Sequence, residues 1–240
     1  MAIKRVESFQ LARYRRQRVM RVVRAILIAF VVFELADTYV VSSVSTLSAS
    51  MEPTIRKGER LVVLPGAYGL LKPFSGSRLA VGEPRRGDIV LVRPPSALDK
   101  SWPSRFLSNV LDFFTLRRFG RSAVDEAVIK RVVALPGDSV RMDGFVIHVR
   151  AKGEAHFLTE HEVSGRAYDV RTQGLPDGWD PSLPLSGSFP EFTLADGQFF
   201  VIGDNRLSYA DSRFFGLVSA DDIQGKVVLR YWPLGRPELR

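Results

Sequence analysis

The stretch VIKRVVALPGDSV, residues 128–140, decides the fold class of this chain. It joins a run of β-branched and apolar residues to the turn-forming Pro-Gly-Asp, which is typical of a β-strand that ends in a tight turn. Five further runs have the same composition and similar boundaries: RLVVLPG (60–66), GDIVLVRPP (87–95), FVIHV (145–149), GQFFVIGDN (197–205) and GKVVLRYW (225–232). Together they predict a mainly β domain, either a barrel or a sandwich.

The length and composition of the chain allow a substantial core. The chain has 240 residues, of which 45% are hydrophobic, so one or two domains are expected. Residues 150–195 are rich in glycine and proline and predict a small second lobe inserted between strands. The large β core is then expected over residues 45–149 and 196–240.

One segment of this core, SWPSRFLSNVLDFFTLRRFGR (101–121), has a helical pattern instead. Its apolar residues recur at helical spacing behind a candidate cap, Ser104, and arginines surround them. Two interpretations stay open. The segment is either an amphipathic helix packed on the β core or a helix that lies on an anionic membrane surface.

The formal charge of +8 is concentrated at the N-terminus. Residues 1–24 contain eight lysines and arginines and one acid, Glu7, so they carry +7 and the rest of the chain carries +1. A nucleic-acid-binding domain usually spreads basic residues over its folded surface, whereas a basic block before an apolar run holds an N-terminus on the cytoplasmic side. The charge therefore indicates membrane topology, and no nucleic-acid partner is expected.

The apolar run that follows, AILIAFVVF (25–33), continues to about residue 44 but is interrupted by Glu34 and Asp37. A span over residues 25–44 has the ~20 residues that a transmembrane helix needs. The run also fits the apolar region of a cleavable signal peptide, because small residues follow it in STLSAS. In either interpretation, the chain from Ser48 onward lies outside the cytoplasm.

Few side chains in this sequence can serve as the base for a serine nucleophile. There is no cysteine, and the three histidines, His148, His156 and His161, fall in or beside the predicted lobe and are expected at the surface. A lysine can replace histidine when burial keeps its amine neutral. Lys130 stands inside an apolar strand pattern, although alternation along the strand also allows it to face solvent.

Four segments in chain order closely resemble the sequence boxes of the bacterial type I signal peptidases. They are SASMEPT (48–54), RGDIVLV (86–92), VIKRVVALPGD (128–138) and GDNRLSYADSRFFG (203–216). One such box would be a weak signal, but four in order after an N-terminal apolar segment are highly specific. The resemblance implies a signal-peptidase-like β fold, a large core with a smaller inserted lobe, and one N-terminal transmembrane helix.

The resemblance also implies a serine endopeptidase that removes N-terminal signal peptides from exported proteins. Ser50 matches the nucleophile and Lys130 the general base, while the Ser48 hydroxyl and the backbone N–H of Ser50 match the oxyanion hole. Met51 matches the methionine that helps to shape the site. The positions that match residues holding the strands and loops of the site together are Arg131, Asp204, Arg206, Asp211, Ser212 and Arg213. Small residues are expected at substrate positions −1 and −3, and neither a cofactor nor a metal is expected.

The last box departs from the family pattern. The family usually has a serine two positions before the aspartate of DSR, and that serine hydrogen-bonds the lysine; here Tyr209 occupies this position and Ser208 precedes it. A shift of one residue along a strand turns a side chain to the opposite face. A reshaped loop that presents Ser208 to Lys130 is the favoured interpretation. Support from the Tyr209 hydroxyl, or no partner at this position, are the alternatives.

In this family the N-terminal apolar segment stays as an anchor, which favours a transmembrane helix over residues 25–44 after a cytoplasmic tail over residues 1–24. The expected location is the cytoplasmic membrane, with a single span and an extracytoplasmic catalytic domain. Placement of Glu34 and Asp37 near the outer interface is then the favoured interpretation, and the alternatives are that they stay protonated or face a partner helix. The expected partners are signal-peptide-bearing preproteins, the phospholipid bilayer and, as a further candidate, the protein export machinery.

Two rival functions come from other classes. Self-cleaving repressors with a Ser/Lys dyad share a related β fold, but they need a DNA-binding helix-turn-helix, whereas residues 1–47 supply an anchor. The other rival is a catalytically silent, membrane-anchored scaffold. The presence of both Ser50 and Lys130 argues against it.

Overall fold

The structure is a computed structural model that describes residues 2–71, 78–80, 82–95, 127–174, 187–208 and 210–235, together with residues 107, 110, 114 and 180. A long helix, α1 (Ala2–Tyr39), opens this part of the chain, and strands dominate the rest. The mainly β character predicted from the sequence is therefore confirmed.

Thirteen strands follow α1 in the described residues. They are β1 (Ser42–Ser45), β2 (Arg60–Leu64), β3 (Gly69–Leu71), β4 (Arg78–Ala80), β5 (Ile89–Val92), β6 (Val128–Ala134), β7 (Ser139–Asp143), β8 (Val146–Arg150), β9 (Leu158–Thr159), β10 (Phe189–Thr193), β11 (Gln198–Ile202), β12 (Val218–Ser219) and β13 (Ile223–Trp232). Two short α-helices whose bounds fall within the described residues lie between these strands, α2 (Glu160–Ser164) and α3 (Ser212–Phe215). Each of the six β-rich runs quoted above overlaps one or more of these strands, because β-branched and aromatic side chains fit a pleated, half-buried surface.

The apolar residues 25–33 lie within α1. Among the described residues, no helix has both the length and the apolar character that crossing a membrane requires. The anchor over residues 25–44 stays a prediction. Its last residues, 42–44, belong to β1, which pairs with β2 along its full length.

Seven strands form one antiparallel sheet in the order β1-β2-β13-β5-β6-β11-β12. The ten-residue β13 changes register against both β2 and β5. Such bulges bend a strand and increase its twist, so this sheet curls. The strand that carries Lys130, β6, runs in the interior of the sheet between β5 and β11, whereas β1 forms one edge.

A second sheet has four strands in the order β10-β7-β8-β9, and β3 pairs with β4 as a separate ribbon. The second sheet shares a buried core with β6 and β11, formed by Val133, Ala134, Val140, Met142, Ile147, Val149, Leu194, Phe200 and Ile202. Residues 150–195, the predicted lobe, contribute β9, α2 and β10, while β7 and β8 come before them. The second sheet therefore begins at Ser139, before the start of the predicted lobe at residue 150. The sequence could not predict this boundary, because alternation marks β7 and β8 as strands without indicating which sheet they join.

Another core cluster lies beneath the predicted nucleophile. It is formed by Val44, Met51, Ile55, Leu61, Val63, Ile89, Leu91 and Val227. These side chains come from β1, β2, β5, β13 and the turn after β1, so the turn is attached to the large sheet by its own apolar residues.

Most of the segment 101–121 lies outside the described residues. Three of its positions, Leu107, Val110 and Phe114, are described and are helical. Leu107 and Phe114 are exposed. The choice between a core helix and a membrane-surface helix stays open.

Candidate active site

Ser50 lies in the turn that follows β1. Its backbone N–H donates a hydrogen bond to Ser48 Oγ at 3.1 Å, and the Ile55 N–H donates to the Met51 carbonyl at 2.8 Å. Met51 and Ile55 are buried in the core cluster beneath the turn. The backbone is therefore held on both sides of Ser50, whose side chain is itself largely buried.

Lys130 is fully buried in the middle of the large sheet. It lies opposite Val90 of β5, and its neighbour Arg131 lies opposite Ile202 of β11. Because most of β6 is covered on both faces, the alternation that would turn Lys130 toward solvent does not apply. The amine Nζ has no hydrogen-bond partner among the described residues.

The surroundings of Lys130 make its neutral form easier to reach than that of an exposed lysine. Burial lowers the pKa of the amine to about 8 because the charged form loses its hydration. The Asp211 and Asp204 carboxylates oppose this shift and raise the pKa, while the Arg213 guanidinium lowers it further. A neutral primary amine in this position can accept a proton.

Gly203 brings the two predicted catalytic residues together. A Cβ atom at this position would collide with the Ser50 carbonyl oxygen and would lie 3.5 Å from Lys130 Nζ. The backbone of Ser50 and the amine of Lys130 therefore meet on one face of Gly203. The absence of a side chain at residue 203 is what permits this approach.

Gly203 begins a loop, residues 203–206, that holds the backbone next to the predicted nucleophile. The Asn205 N–H donates to the Ser50 carbonyl at 3.0 Å, and Asn205 Nδ2 donates to the Ala49 carbonyl at 3.1 Å. The sequence pattern by itself indicates no separate role for Gly203 or Asn205. The sequence feature that indicates a turn here is the triplet Gly-Asp-Asn, which directly follows β11 and consists of turn-forming residues.

A buried ion pair attaches this loop to β6. Arg131 and Asp204 are both fully buried. The guanidinium donates to Asp204 through Nε at 2.8 Å and through Nη2 at 2.7 Å, and Thr54 Oγ1 donates to the same carboxylate at 2.5 Å. Because Arg131 directly follows Lys130, this pair fixes the loop relative to the predicted base. Nothing in the sequence pattern indicates this contact of Thr54.

A second set of polar contacts holds the end of the last box. Asp211 caps α3 and accepts hydrogen bonds from the backbone and side chain of Arg213 and from the Gly203 N–H. Arg213 also donates to the carbonyls of Arg206 at 2.9 Å and Ser208 at 2.7 Å. These contacts hold residues 203–208 against residues 211–213.

The structure does not contain the expected hydrogen bond between Ser208 and Lys130. The N–H of Ser208 donates to the Asn205 carbonyl at 3.0 Å, and its own carbonyl accepts from Arg213. The Lys130 amine is without a hydrogen-bond partner among the described residues, which include Ser208 and exclude Tyr209. Direct support of Lys130 by Ser208 is thus absent here, and any role of Tyr209 stays a prediction.

A cleft of about 160 Å³ opens beside Ser50. Residues 44–48 form one wall, residues 127–129 at the start of β6 form the other, and Ser50 and Met51 complete the lining. Both walls are strand or extended segments with mostly small or apolar side chains. A cleft of this size and shape can hold an extended peptide with small side chains. None of the three histidines lines it.

The family model "Signal peptidase, peptidase S26" matches residues 19–232 of this chain. A signal peptidase I of Leptolyngbya laminosa is 31% identical over 199 residues, which cover 83% of this chain and 72% of the relative. The signal peptidase IB of Staphylococcus aureus (strain COL) is 26% identical over 214 residues, which cover 87% of each chain. Among solved structures, a signal peptidase I from Enterococcus faecalis V583 aligns with a TM-score of 0.33 and 22% identity, over 61% of this chain and 98% of that one.

Proposed function

This chain belongs to the peptidase S26 family of signal peptidases, and from that premise we propose that it is a membrane-anchored serine endopeptidase that uses Ser50 as nucleophile and Lys130 as general base. Its substrates are exported proteins, from which it removes the N-terminal signal peptide. The observation that carries this proposal is the fully buried Lys130 amine, which has no hydrogen-bond partner among the described residues and lies close to the backbone of Ser50. Ser50 in turn lines a cleft of about 160 Å³.

The chemistry follows from the neutral amine. Lys130 takes the proton from the Ser50 hydroxyl while Ser50 Oγ attacks the scissile carbonyl, and it then donates that proton to the leaving amine. The ester formed on Ser50 is released by a water molecule, for which Lys130 again acts as base. Ser50 Oγ and Lys130 Nζ are not hydrogen-bonded in this structure. Catalytic hydrogen bonds are often long without substrate and tighten only in the complex.

Two donors near Ser50 suit the negative charge that develops on the carbonyl oxygen. Ser48 Oγ accepts from the Ser50 N–H at 3.1 Å, so the proton of the Ser48 hydroxyl can point toward the cleft. We assign the Ser48 hydroxyl and the Ser50 N–H to the oxyanion hole. The N–H must turn from Ser48 to the substrate oxygen as the reaction proceeds.

The pH dependence of cleavage follows from the Lys130 pKa. Only the neutral amine can accept the Ser50 proton, and its pKa is lowered to about 8. The value of kcat/KM is expected to rise about tenfold per pH unit below pH 8 and to level off above it. Initial rates of peptide cleavage between pH 6 and pH 10 measure this profile. A profile that rises only near pH ~6.5, the ordinary range of histidine, would oppose a lysine base.

Substrate choice is proposed to depend on the cleft. Its volume of about 160 Å³ and its apolar walls favour small side chains at positions −1 and −3. The edge strand β1 can pair with an extended peptide, which would direct alternate side chains into the cleft. The membrane anchor is proposed to be the apolar part of α1, because Leu27, Ile28 and Val31 are exposed on this helix.

One assay tests both the activity and the anchor. Membranes that contain the full-length protein are washed with alkaline carbonate and then incubated with a precursor that has Ala at positions −1 and −3. Cleavage after position −1 is expected in the washed membranes, together with a loss of about tenfold or more when Leu replaces Ala at −1, because an enlarged side chain overfills the cleft.

Ser50→Ala membranes serve as the control and should leave the precursor intact. Equal cleavage of the Leu and Ala precursors would contradict the proposed specificity. Activity that is released into the carbonate supernatant would contradict the anchor alone.

A further inference from the structure

Glu160, at the first position of α2, is a buried carboxylate with two partners. It is almost fully buried, and its Oε1 accepts a hydrogen bond from Arg206 Nη2. Its Oε2 accepts from the Tyr168 hydroxyl at 2.6 Å. Arg206 is fully buried, and its Nε and Nη1 have no hydrogen-bond partner among the described residues. Since a buried charge is costly unless it is paired, Glu160 is the group that allows Arg206 to be buried.

Arg206 belongs to the loop that holds the proposed nucleophile. Its neighbour Asn205 donates to the Ser50 carbonyl, as described above. Its own N–H donates to the Arg171 carbonyl at 2.9 Å, and the Arg171 N–H donates to the Asp204 carbonyl at 2.9 Å. The backbone around Arg171 therefore forms one side of this loop, and the position of Ser50 depends on both.

Tyr168 extends the same contact to the strand of the proposed base. The Arg131 guanidinium carbon lies 3.7 Å from the centre of the Tyr168 ring, which is a close cation–π contact. Arg131 directly follows Lys130 in β6 and is paired with Asp204. One carboxylate thus contacts the Ser50 loop through Arg206 and the Lys130 strand through Tyr168.

We infer that Glu160 and Tyr168, which lie in the segment between β8 and β10, are positioning residues that hold Ser50 and Lys130 in register, an inference that rests on the proposed function. Loss of the Glu160 charge leaves the Arg206 guanidinium buried without a counter-ion. The loop must then move to bring this group to water or to another acceptor. Neither Glu160, Tyr168 nor Arg206 lines the cleft, so substrate binding is retained while the geometry of attack is lost.

The test compares kcat and KM for Glu160→Gln and Tyr168→Phe in the full-length, detergent-solubilised protein, using a precursor peptide with Ala at positions −1 and −3. Glu160→Gln is expected to lower kcat about tenfold or more and to leave KM within about twofold, because a misplacement of about 1 Å can cost ~100-fold in rate. Tyr168→Phe keeps the ring over Arg131 and loses only the hydroxyl, so a smaller fall in kcat is expected.

Glu191→Gln is the matched control. It breaks the ion pair between Arg150 of β8 and Glu191 of β10, both in the second sheet. The two groups are 2.6 Å apart, and both side chains are partly exposed. Its kcat and KM are expected to equal those of the wild type. Thermal melts of all variants fix an assay temperature at which each protein is folded, so that a loss of folded protein is not read as a loss of kcat.

Three outcomes overturn the inference. An unchanged kcat in Glu160→Gln shows that the contact does not position the dyad, and a raised KM with unchanged kcat assigns Glu160 to substrate binding instead. If Glu160→Gln does not fold, an unchanged kcat in Tyr168→Phe decides against the inference. Cleavage by a parallel Ser50→Ala sample would instead overturn the proposed function. The two failures are distinguishable, because the three outcomes above concern kcat and KM of the other variants and leave Ser50→Ala inactive.

Discussion

Lys130→Met is expected to abolish cleavage and, near neutral pH, to raise the free energy of unfolding by about 1 to 3 kcal/mol. Activity is lost because the thioether cannot accept the Ser50 proton. Stability rises because the wild-type chain buries an amine without a hydrogen-bond partner among the described residues, and methionine fills a similar volume without a polar group. Peptide cleavage and denaturant unfolding in detergent measure the two effects.

The pH dependence of this gain has a definite sign. The Lys130 pKa falls from 10.5 to about 8 on folding, so between these pH values the unfolded chain binds a proton that the folded chain has released. Wild-type stability therefore rises with pH through this window. The advantage of methionine is full below pH 8 and shrinks as the pH approaches 10.5. A Lys130→Met protein that is less stable than the wild type near neutral pH would contradict the burial argument.

Lys152→Met is the control for this substitution. The Lys152 side chain is 73% exposed and lies 4.0 Å from Asp196. An exposed contact of this kind contributes little, so neither stability nor cleavage is expected to change measurably.

Asp204→Ala is expected to lower the free energy of unfolding by about 3 to 5 kcal/mol and to remove activity. The change leaves the fully buried Arg131 guanidinium without its bidentate partner and takes an acceptor from Thr54. The loop that holds the Ser50 carbonyl would lose its attachment to β6. Urea unfolding of the detergent-solubilised protein provides the measurement.

Glu191→Ala is the comparison, because it also removes the acidic partner of an arginine. The Arg150–Glu191 pair is 36% and 43% exposed, so its loss should cost less than about 1 kcal/mol. If Asp204→Ala and Glu191→Ala lower the free energy of unfolding equally, the burial of the Arg131–Asp204 pair does not determine how much this pair contributes to stability.

Local sequence pattern was enough to predict the strands. Runs such as residues 87–95 and 225–232 are rich in β-branched or aromatic residues and are bounded by turn-forming residues, which is typical of strands in any β domain. It could not decide which way Lys130 faces. Alternation assumes one solvent face, but β6 runs between β5 and β11 and most of its residues are buried. The boundary of the second sheet at Ser139 was also beyond local pattern, because pairing partners are chosen by the tertiary fold.

The polar contacts behind the site were the least predictable part. Thr54 and Asp204 are 150 positions apart in sequence, and Glu160 and Arg206 are 46 apart. No periodicity connects such residues, and a glutamate in a polar segment gives no sign that it will be buried. The family resemblance supplied candidates at Ser50 and Lys130 and supporting positions such as Arg131 and Asp204. The contacts of Thr54, Glu160 and Tyr168 with these supporting residues became visible only in the structure.

The most direct test of the Ser50/Lys130 dyad is mass spectrometry of a precursor with Ala at −1 and −3 after incubation with the wild type, Ser50→Ala and Lys130→Arg. Arginine keeps the positive charge and much of the length of lysine but does not become neutral at accessible pH. A single cut after position −1 is expected with the wild type. With each variant, the cleavage rate is expected to fall by a factor of about 10³ or more. Cleavage by Lys130→Arg at a rate close to that of the wild type would contradict the account.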